Sequence, residues 1–600
     1  MMKITEIKSP EFLQELSLKE LRELAEEIRK FLIENVSKTG GHFSSNLGTV
    51  ELTIALHYVF NKQNDKLIFD VGHQAYTHKI LTGRAKDFPT LRKKDGLSGF
   101  LKYSESPYDV WEAGHSSTSI SAAAGFLEAK AQGADIGEVV AVIGDGSIQN
   151  GLALSALNYL GSRKNQKVII VLNDNNMSIS KNVGGLSKFF DRVRLRKSYQ
   201  FFRKLTPKFL ANLKLALSSY MHGGNILSAI GFRYFGPIDG HDLKELIRFF
   251  RFAKNSDHSI IIHVNTQKGK GYEPAENDSL GSWHGTAPFD PETEMPLNPV
   301  PPGKISWSEG MGRLLLEEAK RDEEIIVLCP AMIHGSGLLR FQKEIPERLL
   351  DVGIAEEHSV VMASALALAG KKPVVSIYST FLQRAYDQVS HDVARPSLHV
   401  VFLIDRAGIV GGDGSTHQGI FDIAFLSHLP NMAIAAPKDL NEASGLLHFA
   451  LHEHEGPFAI RYPRASTEEI PTECPEIPFG SWEIVLPLKR VNVVTYGPVV
   501  PEFEREILKS GKEIGLVNAR YIKPLDENVL RMLAGRKAIV YEEVVRQGSL
   551  GMMMLASAEK AGLAIDFEFN AVPDMYVEHG EVDKIKKDLG LAIKDILAKC

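Results

Sequence analysis

Two uninterrupted β-branched runs, separated by a segment of helical length, constrain the fold of this chain more than any other feature. The runs are EVVAVIGDG at residues 138–146 and KVIIVLNDNNMSIS at residues 167–180. Such runs are typical of strands in a parallel sheet that is buried on both faces. The apolar segment NGLALSALNYLGS between them completes a predicted β-α-β unit. The sequence therefore predicts the α/β fold class, with mainly parallel sheets.

Both runs end in small and oxygen-bearing residues, which in an open α/β sheet lie at the edge where ligands bind. Asp145 lies at the end of the first run, and Asn175 lies in the polar end of the second. A carboxylate and an amide oxygen suit Mg²⁺, while Gly144 and Gly146 would let a diphosphate approach the backbone. A Gly-Asp-Gly sequence is also a common tight turn, and the residues alone leave that alternative open.

Three loops of one chemical kind precede this motif. Each places a histidine after a glycine near the start of a helical segment, at Gly41-His42, Gly72-His73 and Gly114-His115. A single loop histidine is usually structural, and that interpretation stays open for each one taken alone. The recurrence of the pattern predicts that the three loops line one cleft.

Two Pro-rich segments interrupt the alternation of strand and helix patterns, at 289–304 and 468–480. Segments of this composition are typical of linkers. They predict three sequential α/β domains at 1–303, 304–480 and 481–600.

We expect residues 181–225, which are rich in Lys, Arg and Phe, to form a helical or mobile cover. The His-Glu-His-Glu run at 452–455 is expected to be a solvated helix end rather than a metal site.

The charge and cysteine content narrow the class of protein. The net charge is −5, with 69 Lys and Arg against 74 Asp and Glu, so no basic field for nucleic acid or a membrane surface is expected. The three cysteines lack metal-site spacing, and the first residues lack the apolar core of a signal peptide. We expect a cytoplasmic protein whose partners are small molecules or copies of itself.

Several long stretches narrow the interpretation further. They are GGHFSSNLGTVEL, GHQAYTHKILTGR, GHSSTSISAA, KGKGYEPAENDS with WHG, IAEEHSV, YSTFLQRAYDQVSHDVA and DRAGIVGGDGSTHQGIFD. Together with Gly-Asp-Gly and the Asn-Asn pair that begins thirty residues (175 − 145) after Asp145, they resemble the 1-deoxy-D-xylulose-5-phosphate synthases. This is a branch of the transketolase-like thiamine-diphosphate enzymes, and the resemblance covers almost the whole chain.

The resemblance implies the cofactors thiamine diphosphate and Mg²⁺, with the diphosphate and metal bound by the first domain and the aminopyrimidine by the second. The implied metal ligands are Asp145, Asn175 and the main-chain oxygen of Met177. The implied cofactor-binding residues are His73, Gly114, His115, Ser116, Gly146, Ser147, Asn175, Tyr272, Glu356 and Phe381.

Glu356 has a specific chemical reason to be present in this family. The reactive carbon of thiamine diphosphate loses its proton when a carboxylic acid hydrogen-bonds the aminopyrimidine ring. By resemblance Glu356 is that acid, and Phe381 is the aromatic residue that stacks under the ring. A carboxylate at a helix amino end is also ordinary dipole complementarity, and local sequence alone leaves that alternative open.

The remaining site residues are likewise implied by the resemblance. His42, His73 and His284 would act as bases or hydrogen-bond donors, and His417 would act both in catalysis and in substrate binding. The acceptor substrate would contact Tyr378, Arg406, Asp413, His417 and Arg464, and the two arginines would grip its phosphate through their forked donors.

The activity implied is the condensation of pyruvate, with loss of CO₂, and D-glyceraldehyde 3-phosphate to 1-deoxy-D-xylulose 5-phosphate. This reaction opens isoprenoid precursor synthesis and also feeds thiamine and pyridoxol synthesis, and a homodimer is expected. One alternative is a transketolase that uses a ketose-phosphate donor. A second alternative is a cofactor-binding regulatory protein without turnover.

Overall fold

The computed structural model describes residues 3–175, 184–185, 226–278, 280–469 and 474–599. The expected ligand Met177 and most of the expected cover at 181–225 lie outside these ranges. The chain divides into two units, Met1–Pro299 and Val300–Cys600, here called the N-terminal and the C-terminal unit. The finer division into 1–303, 304–480 and 481–600 stays a prediction.

The N-terminal unit contains a parallel sheet and a short antiparallel pair. Its strands are β1 (Gly41–His42), β2 (Lys66–Phe69), β3 (Val139–Gly144), β4 (Ile169–Asp174), β5 (Arg233–Asp239), β6 (Ile260–Asn265) and β7 (Gly285–Thr286). Within the described ranges the sheet has the order β2-β3-β4-β6-β5, and all its neighbours are parallel. The antiparallel pair joins β1 to β7.

Helices cover both faces of this sheet, because consecutive apolar residues of β3 and β4 point to opposite sides. Val140 and Val142 belong to one buried cluster, whereas Ala141 and Ile143 belong to another. The α-helices of the unit within the described residues are Leu18–Thr39, Ser44–Leu47, Val50–Val59, Tyr76–Lys79, Ser119–Ala131, Gly151–Gly161, Ile226–Ala229, Leu243–Lys254 and Glu273–Glu276. The predicted β-α-β unit is therefore confirmed as β3, helix Gly151–Gly161 and β4.

The C-terminal unit contains two sheets and a short antiparallel pair. Its strands are β8 (Lys304–Ser306), β9 (Ile325–Cys329), β10 (Leu349–Asp351), β11 (Lys372–Tyr378), β12 (Val401–Asp405), β13 (Ala433–Ala435), β14 (Phe458–Arg461), β15 (Ser466–Glu468), β16 (Glu483–Leu486), β17 (Val491–Thr495), β18 (Ile514–Asn518), β19 (Tyr521–Lys523), β20 (Lys537–Val545) and β21 (Asp566–Val572). The larger sheet has the order β10-β9-β11-β12-β14-β13-β19 and is parallel except for β19.

A second sheet in the same unit has the order β16-β18-β17-β20-β21 and is parallel except for β16. Strands β8 and β15 form an antiparallel pair. The α-helices are Trp307–Arg321, Leu339–Glu344, Glu356–Leu368, Ser379–Leu382, Tyr386–Gln388, Asp422–Ser427, Leu440–His452, Val499–Ser510, Glu527–Met532, Leu550–Lys560, Val582–Asp588 and Ile593–Ala598. The predicted α/β class with mainly parallel sheets is confirmed. Among the described residues, no helix combines the length and apolar character that crossing a bilayer requires.

Candidate functional site

The carboxyl ends of β3 and β4 bring two buried carboxylates together in the N-terminal unit. Asp145 directly follows β3, and its backbone N–H donates to Asn173 O at 3.2 Å, which places it beside Asp174 at the end of β4. Burial, together with the negative charge of Asp174, raises the pKa of Asp145 well above its ordinary value. Two neighbouring buried carboxylates are suited to a divalent cation, so this end of the sheet fits Mg²⁺.

The expected ligand Asn175 follows β4 immediately. The space beside the strand ends also fits an anion, since a Cβ added to Gly144 would meet open space. Ser147 begins a short 3₁₀ segment after the Gly-Asp-Gly turn, and Asn150 then caps helix Gly151–Gly161 by accepting from Leu152 N at 2.9 Å. A diphosphate could therefore approach the backbone at Gly144 without displacing a side chain of the described residues.

A buried carboxylate orders the loop that precedes helix Ser119–Ala131. Asp70, the first residue after β2, accepts hydrogen bonds from Ser117 N at 2.7 Å and from Ser119 N and Oγ at 3.1 and 2.7 Å. Ser117 has a φ of 75° in this loop, a conformation that is uncommon for a residue with a side chain. Its hydroxyl donates to Ser147 O at 2.8 Å, so two of the predicted cofactor loops are tied together.

The remaining expected cofactor residues of this loop are Gly114, His115 and Ser116. Gly114 has a φ of 108°, a region open to glycine, and its N–H donates to Val71 O at 2.7 Å. Ser116 is buried, and its hydroxyl lies 3.2 Å from that of Ser117. The three residues therefore follow one another in a bend beside the end of β2.

Three histidines predicted for catalysis lie together. The ring centroids of His42 and His73 are 5.7 Å apart, those of His73 and His284 are 5.3 Å apart, and those of His42 and His284 are 5.9 Å apart. The pairing of β1 with β7 brings His284 beside His42, because His42 is paired with Gly285. Asn46 fixes two of the loops by donating to His42 O at 2.8 Å and to His73 O at 2.7 Å.

His73 is suited to form hydrogen bonds in the neutral form. Burial, followed by the positive charges of His42 and Lys268, lowers the pKa of His73 well below its ordinary value. His73 Nδ1 is buried and has no hydrogen-bond partner among the described residues. A buried polar atom without a hydrogen-bond partner destabilises the fold unless a ligand bonds to it, so the cluster fits a polar ligand.

Tyr272, expected to bind the cofactor, lies among other aromatic side chains. Its hydroxyl donates to Pro291 O at 3.1 Å, and its ring lies 5.4 Å from Phe43 and 5.2 Å from Trp283. The side chain is therefore part of an aromatic cluster, and binding of the cofactor by Tyr272 stays a prediction. Nearby, burial lowers the pKa of Lys268 to about 8 although the charge of Asp145 opposes the shift.

In the C-terminal unit, Glu356 is the first residue of helix Glu356–Leu368 and is buried. Burial raises the pKa of Glu356, although Arg384, whose Nη1 lies 3.5 Å from its Oε2, opposes the shift. That Oε2 has no hydrogen-bond partner among the described residues. A buried carboxyl that holds its proton more tightly than usual fits the donor that an aminopyrimidine ring requires.

Aromatic side chains lie next to each other in the same unit. Tyr378, the last residue of β11, stacks on Phe381 with centroids 5.3 Å apart and an interplanar angle of 12°. His417 meets the edge of Phe381 at 5.6 Å, and its Nδ1 lies 2.8 Å from Thr416 Oγ1. Three expected site residues therefore form one aromatic group, in which Phe381 has the flat face that a stacked ring requires.

The two expected phosphate-binding arginines have different surroundings. Arg406 is largely buried, with its guanidinium 3.9 Å from the centroid of the Tyr378 ring and its Nη1 2.6 Å from Asp405 Oδ2. Arg464 is half exposed, and its Nη1 lies 3.4 Å from Asp413 Oδ2. Arg406 is thus held in place by buried contacts, whereas the side chain of Arg464 is accessible from solvent.

Several residues that support these groups were not predicted from the sequence. They are Asn46, Asp70, Asp174, Arg384 and Asp405. The rule that pointed to Asp145, a polar residue at the carboxyl end of a buried strand, also describes Asp70, Asp174 and Asp405.

Comparison with known proteins identifies the family. The chain matches the family model for 1-deoxy-D-xylulose-5-phosphate synthase over residues 4–266. It matches the transketolase pyrimidine-binding domain over 303–469 and the transketolase C-terminal domain over 480–596. A solved transketolase structure from Campylobacter jejuni is 19% identical and covers 97% of this chain and 99% of its own, but its TM-score of 0.43 is too low to add to the assignment.

Two relatives match nearly end to end. The 1-deoxy-D-xylulose-5-phosphate synthase of Macrococcus caseolyticus is 47% identical over 98% of this chain and 97% of its own length. The protein of the same name from Geobacillus sp. is 46% identical over 99% of this chain and 98% of its own length. The chain therefore belongs to the 1-deoxy-D-xylulose-5-phosphate synthase family of transketolase-like, thiamine-diphosphate-dependent transferases.

Proposed function

We propose that this chain condenses pyruvate and D-glyceraldehyde 3-phosphate to 1-deoxy-D-xylulose 5-phosphate and CO₂, the first step of isoprenoid precursor synthesis. The observation that carries the proposal is the match to synthases of this name over 98% of the chain at 47% identity. The buried Glu356 supports it independently, because its raised pKa suits an acid that acts on the cofactor ring.

Mg²⁺ and the diphosphate of the cofactor are assigned to the N-terminal unit. Asp145 and Asn175 would contribute oxygen ligands, together with the main-chain oxygen of Met177. Asp174 would balance the charge of the ion beside Asp145. The residues that would bind the diphosphate and the rest of the cofactor are His73, Gly114, His115, Ser116, Gly146, Ser147 and Tyr272. The neighbouring buried carboxylates of Asp145 and Asp174 support this assignment.

Thiamine diphosphate, when bound, supplies a carbon that adds to the keto group of pyruvate and stabilises the charge left after CO₂ departs. Glu356 would hold a proton on the aminopyrimidine ring, and Phe381 would stack under that ring. Arg384 keeps Glu356 oriented, since its Nη1 lies 3.5 Å from the carboxylate. Glu356 therefore controls which tautomer of the ring is present.

The donor is assigned to the histidine cluster. Pyruvate offers a carboxylate and a methyl group, so its site needs hydrogen-bond donors in a confined space. His42, His73 and His284 provide imidazole groups within 6 Å of one another, measured between ring centroids. The lowered pKa of His73 keeps that ring neutral near pH 7, so it can donate one hydrogen bond and accept another.

The acceptor is assigned to residues of the C-terminal unit. Arg464 would contact the phosphate of the aldehyde, and Arg406 would add positive charge from its fixed position on Tyr378. Asp413 and His417 would bind the hydroxyl group, and His417 would also take part in proton transfer. The half-exposed Arg464 supports this arrangement because it can exchange Asp413 for a phosphate at little cost.

We further propose three domains at 1–303, 304–480 and 481–600, a homodimer and a cytoplasmic location. Exposed apolar side chains support self-association. They lie on helices Gly151–Gly161 and Glu356–Leu368, at Leu152, Leu154, Tyr159, Val361 and Leu368. Cys329 and Cys474 are free thiols, which is in keeping with a reducing compartment.

A transketolase activity is the alternative that needs a direct test. We would supply the purified protein, with thiamine diphosphate and Mg²⁺, with D-glyceraldehyde 3-phosphate and either pyruvate or xylulose 5-phosphate as donor. The proposal predicts 1-deoxy-D-xylulose 5-phosphate from pyruvate only, with Glu356→Gln as the inactive control. Efficient turnover of xylulose 5-phosphate would favour transketolase, and cofactor binding without turnover of either donor would favour the regulatory protein.

A further inference from the structure

Two helices of the C-terminal unit bring a carboxylate and two imidazoles together away from the candidate site. Glu318 lies near the end of helix Trp307–Arg321, and His448 and His452 lie on helix Leu440–His452. The sequence led us to expect a solvated helix end at His452, whereas His452 Nε2 lies 2.8 Å from the buried Glu318. The potential ligand atoms of the three residues all lie within 4.8 Å of one another. Three such groups from two separate helices form a metal-ligand constellation that no step of the proposed reaction uses.

The cluster lies near the opposite end of strand β11 from Tyr378. Lys372, the first residue of β11, contacts His452 Nδ1 at 3.1 Å, whereas Tyr378 is the last residue of that strand. Six residue steps of a strand span roughly 20 Å. A ligand bound at the cluster would therefore be separate from the acceptor residues, and its effects can be measured independently of catalysis.

The spacing of the ligand atoms suits a small ion. His448 and His452 are four residues apart, so both rings emerge from one face of the helix. His452 Nε2 lies 2.8 Å from Glu318 Oε2, and His448 Nδ1 lies 3.4 Å from the same oxygen. Ligand atoms bound tetrahedrally to Zn²⁺ at about 2.1 Å are about 3.4 Å apart, so the His448 contact already has this length and the His452 contact would lengthen by about 0.6 Å.

The surroundings provide both support and access. Asp322 Oδ2 lies 3.7 Å from His452 Nδ1, which places a carboxylate behind the ring, where metal-binding histidines usually have one. The proton on Nε2 would move to Nδ1 and face Asp322 when a metal takes its place. The His448 side chain is 43% exposed, so an ion can enter from solvent.

Two cationic side chains, Lys372 and Arg321, contact the same groups, but each could move aside for a metal ion. Lys372 Nζ already donates to Asp322 Oδ2 at 2.7 Å, so it keeps a partner if His452 turns to a metal. Arg321 Nη1 lies 3.3 Å from Glu318 Oε1, the oxygen that the histidines approach less closely overall, and the Arg321 side chain is 66% exposed. Glu318 Oε2 therefore remains available as a ligand.

We propose that Glu318, His448 and His452 bind a divalent transition-metal ion of the Zn²⁺ type, with water in the open position, and so join the two helices. Two imidazoles and one carboxylate are ligands that Zn²⁺ accepts readily, whereas Mg²⁺ prefers oxygen alone. The ion would be structural, because the cluster lies far from Tyr378.

Metal titration of the full-length protein tests this site. Zn²⁺ alone would be titrated in competition with a chromophoric chelator, while saturating thiamine diphosphate and Mg²⁺ occupy the predicted cofactor site. The variants are His448→Gln and His452→Gln, and the matched control is His258→Gln, which changes an exposed histidine in the N-terminal unit. Loss of one of three ligands should weaken binding at least on the order of 100-fold.

We expect wild type and His258→Gln to bind one more equivalent of Zn²⁺ than His448→Gln or His452→Gln. Co²⁺ in the same titration should give a visible absorption band that both cluster variants lack. Equal stoichiometry in all four proteins, or a Co²⁺ band that survives in the cluster variants, would overturn the proposal and leave an ion-pair network. Circular dichroism confirms folding, and His448→Gln alone suffices if His452→Gln misfolds, since His448 is half exposed.

Discussion

The carboxylate of Glu356 lies 3.5 Å from the guanidinium of Arg384, and the side chains are only 5% and 17% exposed. At this separation the pair attracts electrostatically but does not form a short hydrogen bond. Burial prevails over the charge of Arg384, because the pKa of Glu356 is raised rather than lowered. The acid is therefore oriented by Arg384 without being forced to lose its proton.

The first prediction concerns this acid. Glu356→Gln should bind thiamine diphosphate with modest loss, because the amide keeps the shape of the side chain. It should exchange the proton of the cofactor's reactive carbon more slowly by on the order of 10²-fold or more, since a proton-transfer partner is lost. Hydrogen-deuterium exchange by NMR measures this rate. Exchange at the wild-type rate would show that Glu356 serves only as a helix-end charge.

The second prediction concerns the buried carboxylates. A raised pKa means that the folded, metal-free protein binds protons that the unfolded chain releases, so its stability falls as pH rises above the ordinary pKa of Asp145. Asp145→Asn removes that penalty and keeps the acceptor for Gly146 N. The metal-free variant should melt no lower than wild type at pH 7, yet bind Mg²⁺ and cofactor at least about tenfold more weakly.

Calorimetric titration and thermal melting at pH 7 check both halves of this prediction. Asp135→Asn is the control, since Asp135 is an exposed carboxylate that precedes β3, at the opposite end of this strand from Asp145. Unchanged cofactor affinity in Asp145→Asn would remove Asp145 from the set of metal ligands. A large drop in the melting temperature would show that the carboxylate stabilises the fold instead.

The third prediction concerns the stability of the N-terminal unit. Glu51 accepts from Arg29 Nη2 at 2.6 Å and lies 3.0 Å from His241 Nδ1. Burial alone would raise the pKa of Glu51, but the hydrogen bond with His241 and the charge of Arg29 lower it from 4.5 to about 2. This stabilisation, on the order of 3 kcal/mol, is present above the unfolded pKa and is lost as pH falls through the folded pKa.

Glu51→Gln should therefore destabilise the protein at pH 7, and the difference from wild type should shrink as pH is lowered from 5 toward 2. Urea unfolding at several pH values measures it. Glu26→Gln is the matched control, because Glu26 contacts the same Arg29 at 2.8 Å but its side chain is 64% exposed. Equal effects of the two substitutions would contradict the role assigned to burial.

The fourth prediction concerns the acceptor. Removing one arm of a charge-assisted phosphate contact costs about 2 to 4 kcal/mol. Arg464→Ala should raise the KM for D-glyceraldehyde 3-phosphate strongly, leave that for pyruvate nearly unchanged and lose the preference for the phosphorylated aldehyde. Arg505→Ala, an exposed arginine on helix Val499–Ser510, is the control. Equal changes in both KM values would remove Arg464 from the phosphate site.

Strands with continuous apolar runs were predictable, and those without them were not. β3, β4, β6, β11 and β12 follow such runs. β5 was missed because it contains Gly236 and Pro237, which normally argue against a strand. The structure accommodates them because β5 lies at the sheet edge and its register shifts between Phe235 and Ile238. Tertiary position therefore overrode local propensity.

The short strands show a second limit of local sequence. β10, β13 and β19 have three residues each, too few to display a period. β19 also lies within the predicted third domain, yet it pairs with β13 at the edge of the larger sheet. Pairing at this distance along the chain depends on the packed sheet and leaves no sign in the strand itself.

The site was predictable where motif residues follow strands, as with Asp145. The residues that hold the site residues in place were harder to predict from the sequence. Asn46 binds the backbone oxygens of His42 and His73, which is possible only because two loops distant in sequence meet. Its role therefore rests on tertiary geometry, whereas Asp70 and Asp405 could have been found from their positions at strand ends.

Release of CO₂ from pyruvate, followed together with the formation of 1-deoxy-D-xylulose 5-phosphate, tests the proposed activity most directly. The purified protein would receive labelled pyruvate, thiamine diphosphate and Mg²⁺, with and without D-glyceraldehyde 3-phosphate. We predict that the aldehyde strongly increases CO₂ release and that one molecule of product forms for each CO₂. Release that is the same with and without the aldehyde, with no product formed, would contradict the assignment and indicate a simple decarboxylase.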